Sequence, residues 1–476
     1  MLSLTNPKLC HFDRTLSEAE GAVEKPPYSL SSDHPQIRQG FTPCGMLSRM
    51  PNPTPKSWLP SANTPHCDFP LQNLPYCAFR TEGMHPHIGI GIGDSILDLN
   101  KLSRTGLFRK LGWDIRSACR SNTLNSLIEL GTGPASLLRE TLTHLLSTSA
   151  TPAQVDKVKP TLRPIEGAVF CKPVSIGDYS DFYASIDHAT NVGKLFRPDE
   201  PLLPNYKYVP IGYHGRASSI RLSGEPIIRP SGQIKNRSSE APEFCPTAQM
   251  DYELEVAAYV RGGRWIKINE AERYLFGISL LNDWSARDIQ SWEYQPLGPF
   301  LGKSFATTIS PWVVPMEALD PYRVPLAPRP TGDPTPLPYL TTTEPSAIDL
   351  HLEVFPTTQS MRGASLPPHQ LSTANLRDLY WSFPQLIAHH TSNGCNLRPG
   401  DLLASGTISG PTEGTKGSLL EITQRGTTPL TLPNGETRTF LEDGDEIIFQ
   451  GHCERPGLPR IGLGDCRGTV TVKKSL

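Results

Sequence analysis

No stretch of this 476-residue chain keeps apolar residues together for the ~18 positions a membrane helix needs, and no apolar leader core stands near its start. No cluster of lysine and arginine interrupts a chain whose formal net charge is -2, so nucleic acid and anionic membrane surfaces are excluded as expected partners. The ten cysteines lie far apart, with neither a C-x-x-C pair nor the spacing of a zinc site. Free thiols in a reducing compartment follow, and with them a soluble, cytoplasmic protein. Nucleotide motifs are missing too. "GIGIG" within residues 87–99 lacks the G-x-G-x-x-G spacing, and "GPFLGKS" is one residue short of a Walker loop with no helix-forming run after it. Internal repeats are absent, and the closing "KSL" holds the letters of a peroxisomal signal in the wrong order.

What is present is proline, 48 residues and about twice the usual ~5%, which favours turn-rich β architecture over helix bundles. Residues 1–65, rich in Pro and Ser with both charge signs and no periodicity, read as a disordered extension; their acidic residues argue against a transit peptide. Residues 66–173 read as a small module. It opens with "HIGIGIGDSILDL", a hairpin turning at Gly93-Asp94, and continues into helices through "TLNSLIEL" and "SLLRETLTHLLS". From 174 to 476, short β-like runs such as "EVAAYV", "DLLASGTI" and "DGDEIIF" predict a large β-rich domain, and the Pro-dense 324–340 segment reads as an ordered surface excursion.

Polar residues concentrate in four places. In "DYELEV", residues 251–256, alternation puts Asp251, Glu253 and Glu255 on one strand face, where like charges need either water or a cation. In "IGDYSDFYASIDHATNVG", residues 176–193, a helix would align Asp181, Ser185 and His188, as a capped surface helix or as a shared functional face. In "NDWSARDIQSWEYQPLGPFLGKSFATT", residues 282–308, a helix would carry Arg287, Gln290 and Tyr294 as one stripe of donors. Asp283 is then a helix cap or a fourth carboxylate, and Lys303, in apolar surroundings, is a surface lysine or a buried one in need of a partner. Finally, "GYHGRASS" (212–219) and "LRPGDLLASGTISG" (397–410) read as Gly-bounded loops and strand ends with hydroxyls, an imidazole and Arg216.

Taken in order, these strings resemble the fumarylacetoacetase family, from "DFPLQNLPYCAF" near residue 68 to the C-terminus. The resemblance implies a mainly β (α+β) fold, with a small N-terminal SH3-like barrel and a large C-terminal β-sandwich-roll domain, assembled as a homodimer. It implies a metal-dependent hydrolase that cuts 4-fumarylacetoacetate, a β-diketo acid, into fumarate and acetoacetate, the last step of tyrosine and phenylalanine degradation. Asp181, Glu253, Glu255 and Asp283 then correspond to the ligands of one Ca²⁺ or Mg²⁺ ion, with Lys303 and Thr307 beside a second, Mg²⁺-like position. Tyr183, Arg197, Gln290, Tyr294 and Thr407 match substrate-binding positions. His188, oriented by Glu421 in "GSLLEI", matches the general base, and Arg287, Gln290 and Lys303 the oxyanion site. Asp251 has no counterpart among the ligands and is left as a solvated or structural group. Two rivals remain: a superfamily relative such as an acylpyruvate hydrolase, and a metal-binding protein without catalysis, which would need neither His188 nor Glu421.

Overall fold

The strand Leu254–Gly263 is buried along its first seven residues, as a central strand of aliphatic and aromatic side chains must be. In the computed structural model, which describes residues 55–81, 83, 85–235, 240–344 and 346–472, its side chains alternate between two cores. Leu254, Val256, Ala258 and Val260 enter the larger one; Ala257 and Tyr259 enter the other. The neighbouring strand Leu275–Asp283 divides likewise, Ile278 and Leu280 on one side, Phe276 and Leu281 on the other. These two strands centre a mixed sheet with the order 212–214, 179–182, 397–404, 254–263, 275–283, 307–309, 220–222. Pairing is parallel at both flanks, 179–182 with 397–404 and 307–309 with 220–222, and antiparallel elsewhere along that order.

A second sheet, in the order 372–375, 351–357, 446–453, 461–471, 227–228, closes the larger core through Leu352, Val354, Ile447, Phe449 and Leu463. Toward the N-terminus, five short antiparallel strands run in the order 162–164, 95–98, 87–92, 76–80, 169–171, within the region where the sequence predicts the small module. The 87–92 and 95–98 strands form the expected hairpin. Gly93 takes φ +57° there, and a Cβ would stand 2.3 Å from the Ser61 hydroxyl, so only glycine fits this turn. The predicted helices are Asn125–Glu129 and Thr132–Leu146. The fold is therefore mainly β.

Part of the expected extension is ordered. Within residues 55–65, Ser57, Leu59 and Ala62 are buried, Ser57 bridges to Ser147, and the Trp58 indole donates to the Leu145 carbonyl at 2.9 Å. Apolar side chains spaced among prolines show no period, which hides this from a pattern search. The remainder of the expected extension, residues 1–54, lies outside the described residues. The Pro-dense excursion is pinned as an ordered segment, with the Arg329 guanidinium over the rings of Tyr380 and Trp381, at 4.1 and 4.4 Å, and Asp333 paired with Lys207. Pro384 sits in the first turn of the helix Phe383–Thr391, the one place in a helix where it costs little.

Candidate active site

The sheet face that buries Tyr179, Ala257, Tyr259, Leu281 and Ala404 continues, at the ends of its strands, with carboxylates. Ala404 pairs with Asp181, Glu255 with Leu281, and Asp283 with Thr307, so three strands deliver Asp181, Glu255 and Asp283 to one spot. One oxygen from each lies within 4.8 Å of the others, and all three residues are buried. Asp181 therefore lies on a strand, Tyr179–Phe182, and the single helix expected over 181–188 is corrected: the helix starts at Ile186 with Ser185 as its cap. Pairing with the 397–404 strand overrides the helical spacing. Asp283 is no helix cap either; Ala286 precedes the helix Arg287–Glu293.

Burial and mutual repulsion push Asp181 and Glu255 well above the ordinary carboxylate range, and Asp283 is raised as well, by burial and by Glu253. Both oxygens of Glu255, and Oδ1 of Asp181, are buried without a hydrogen-bond partner among the described residues. An all-oxygen set in which two carboxylates keep unpartnered oxygens fits a hard divalent cation. Glu253 is held differently. Its Oε1 accepts from Arg287 Nη1 at 2.7 Å and its Oε2 from Lys303 Nζ, and these two cations, opposing burial, keep it below the ordinary range. Lys303 is thus a buried lysine. It bridges Glu253 and Asp283, the latter at 2.8 Å, and stays charged because those carboxylates outweigh its desolvation. Thr307 Oγ1 donates to Asp283 Oδ1 at 3.0 Å.

The carboxylates open onto a cavity of about 760 Å³. Its lining includes His188, Arg287 and each expected substrate contact, Tyr183, Arg197, Gln290, Tyr294 and Thr407. Ser185 Oγ accepts from the His188 backbone N–H at 3.2 Å and fixes the helix start. The His188 ring then meets Glu421 Oε2 through Nδ1 at 2.7 Å. Ser409, Ser418 and Asn191 donate to the same carboxylate at 3.0, 2.8 and 2.9 Å. Burial would push Glu421 up; His188 and these donors win, and its pKa is lowered. An ionised carboxylate only accepts, so the ring donates through Nδ1 and turns Nε2 away from Glu421. Across the cavity, Arg287 Nη1 also donates to Gln290 Oε1 at 3.2 Å, and Arg287 Nη2 is buried with no partner among the described residues. Gly302 permits this arrangement, since a Cβ there would stand 2.8 Å from that of Gln290.

A family model described as fumarylacetoacetate (FAA) hydrolase C-terminal matches residues 179–471, and one described as fumarylacetoacetase N-terminal matches 72–169. The chain belongs to the fumarylacetoacetase family. It is 47% identical to the fumarylacetoacetase of Homo sapiens over 413 residues, covering 85% of this chain and 96% of that one. To the Rattus norvegicus fumarylacetoacetase it is 46% identical over 411 residues, with the same coverage, and to that of Arabidopsis thaliana 44% over 423, covering 87% and 98%. Every site residue named above lies inside the fumarylacetoacetase C-terminal match.

Sequence reasoning missed three contributors to this fumarylacetoacetase-type site. Tyr213, inside the quoted "GYHGRASS", lines the cavity and donates to Asp283 Oδ2 at 3.1 Å, while the adjacent His214 and Arg216 are exposed and outside the lining. Asp251 is fully buried rather than solvated. Glu293 accepts the backbone N–H groups of Phe300, Leu301 and Gly302 at 2.7–2.9 Å and so shapes the loop that ends at Lys303. A carboxylate nine residues before a glycine carries no periodic signal, so nothing in the pattern could have found it.

Proposed function

We propose that this chain hydrolyses 4-fumarylacetoacetate to fumarate and acetoacetate, as the last step of tyrosine and phenylalanine degradation. One observation carries the reading: a carboxylate-held imidazole and an arginine with an unpartnered Nη2 line one cavity with Asp181 and Glu255, whose buried oxygens lack partners among the described residues and which gather with Asp283. His188 Nε2 takes a proton from water as its oxygen adds to the substrate carbonyl, and Glu421 stabilises the imidazolium that forms. Arg287 Nη2, Gln290 through its amide N–H, and Lys303 stabilise the oxyanion. As that intermediate collapses, the carbon–carbon bond breaks, its electron pair leaves on the acetoacetate carbon, and the proton held by His188 returns to it. Arg197, Tyr183, Tyr294 and Thr407 bind and orient the diacid.

The ion proposed is Ca²⁺ or Mg²⁺, with Asp181, Glu255 and Asp283 as ligands and Glu253 as the fourth, and with Lys303 and Thr307 beside a second position. Such an ion supplies Lewis-acid stabilisation of oxygen charge. A cytoplasmic homodimer is the assembly we infer. Support comes from the cysteines, which are free thiols among the described residues, and from a cluster of exposed apolar side chains after the Arg287 helix, Leu297 (97% exposed), Phe300 (69%) and Leu301 (46%). Among the described residues no helix is long and apolar enough to cross a membrane. Incubation with fumarylacetoacetate, following the loss of its ultraviolet absorbance and identifying both acids, tests the reading; no loss with metal present overturns it. Sedimentation tests the dimer.

A further inference from the structure

Asp251 does not line the cavity, yet it touches both halves of the machinery around it. It lies in the two-residue strand Met250–Asp251, which pairs with Ser285-Ala286 immediately before Arg287. Its Oδ2 accepts from Arg287 Nε at 2.8 Å and from the Leu420 backbone N–H at 3.0 Å. Its Oδ1 accepts from the backbone N–H groups of Leu419 and Tyr252, both at 2.8 Å. Leu419 and Leu420 directly precede Glu421, the partner of His188. One buried carboxylate thus joins the arginine to the turn that carries the orienting glutamate.

An arginine side chain has several rotatable bonds, so a single partner leaves its fork free to turn. Here Asp251 holds Nε and Glu253 holds Nη1, which fixes the guanidinium plane and leaves Nη2 as the unpartnered donor. The same Asp251 anchors the backbone at 419 and 420, and with it the height at which Glu421 meets His188. We propose that Asp251 is a positioning residue that sets the Arg287 donor and the His188–Glu421 base at a fixed separation, so that both reach one carbonyl group. This rests on the function proposed above. Misplacement by about 1 Å costs on the order of 10²-fold in rate, so the effect falls on kcat.

The test is Asp251→Asn, alone and combined with Arg287→Lys and with Glu421→Gln. The amide keeps the shape but offers an N–H where a charged acceptor stood. Expected are a kcat loss of about 10²-fold with KM within about threefold, and little further loss when it is added to either single variant, since the groups act as one unit. A second readout needs no substrate: the downfield proton resonance of the short His188 Nδ1–H to Glu421 bond should move in Asp251→Asn. Losses that multiply on both backgrounds, an effect confined to KM, or an unmoved resonance overturn the proposal. Should Asp251→Asn fail to fold, the resonance in Arg287→Lys decides, shifting if Asp251 couples the two halves and staying put if it does not. If wild type leaves fumarylacetoacetate intact, the function is overturned while the resonance still decides for Asp251.

Discussion

Glu253 and Glu255 stand two residues apart on one face, yet their surroundings assign them opposite electrostatic tasks. Among the described residues Glu255 has no cationic partner and Glu253 has two. Replacing Glu255 with Gln should therefore weaken Ca²⁺ binding, measured by calorimetry, by more than about 100-fold. Glu253→Gln strips Arg287 and Lys303 of a shared counter-charge and should also lower kcat in metal-saturated protein; unaltered turnover there would contradict the pairing described. For the base, His188→Ala should lower kcat by at least about 10²-fold with metal content unchanged. Glu421→Gln should lose activity in the same way by permitting the wrong tautomer, and the double variant should be little worse than either single one. Turnover of His188→Ala within tenfold of wild type would remove His188 from that role, with no support from the exposed His214 as its replacement.

Among the elements, the strand ends and the two short helices that bear His188 and Glu421 do the positioning, and they differ in how far the sequence betrays them. The helix at 287–293 was legible because period 3.6 survives in it, whereas the strand expected over 251–256 is corrected: it divides into 250–251 and 254–263, and Asp251 does not share the cavity with Glu253 and Glu255. The 179–182 strand was not legible, because four residues beside a helix cap also fit a helical spacing, and only its partner at 397–404 decides between them. The candidate site residues were legible as residue types in particular strings, but the division of Glu253 from the trio Asp181, Glu255 and Asp283 required the positions of Arg287 and Lys303, which lie more than thirty residues away. The ordered run before residue 66 gives a prediction of its own. A chain starting at residue 61 should unfold roughly 4 °C or more below one starting at 53, read by differential scanning calorimetry. The shorter chain lacks Leu59, Ser57 and the Trp58 hydrogen bond. Equal midpoints would mean that this packing contributes nothing.

For the whole molecule, stability should depend on pH through the second sheet as well as the cavity. Burial, with Arg460 and His351 nearby, pushes His452 down to about 4, and the Glu454 carboxylate offsets only part of this. Its unfolded pKa is about 6.5, so the unfolded chain binds a proton that the native one refuses. The contribution is fully present above about pH 6.5 and is lost as pH falls toward 4. His452→Gln should accordingly narrow the gap between the unfolding midpoints at pH 7.5 and pH 5; an unchanged gap would rule this out.

The alternation of the 254–263 strand between two cores has one more consequence, for errors in assembly. Shifting that strand by a single residue against its neighbours would send Glu255 into the oily interior and turn Leu254 and Val256 toward the cavity. Stranding a carboxyl group without a partner in hydrocarbon is a costly mistake for a chain to make. A candidate site residue therefore acts as a proofreader of the fold: a mispaired sheet cannot close around it, and a sheet that closes has already placed it correctly.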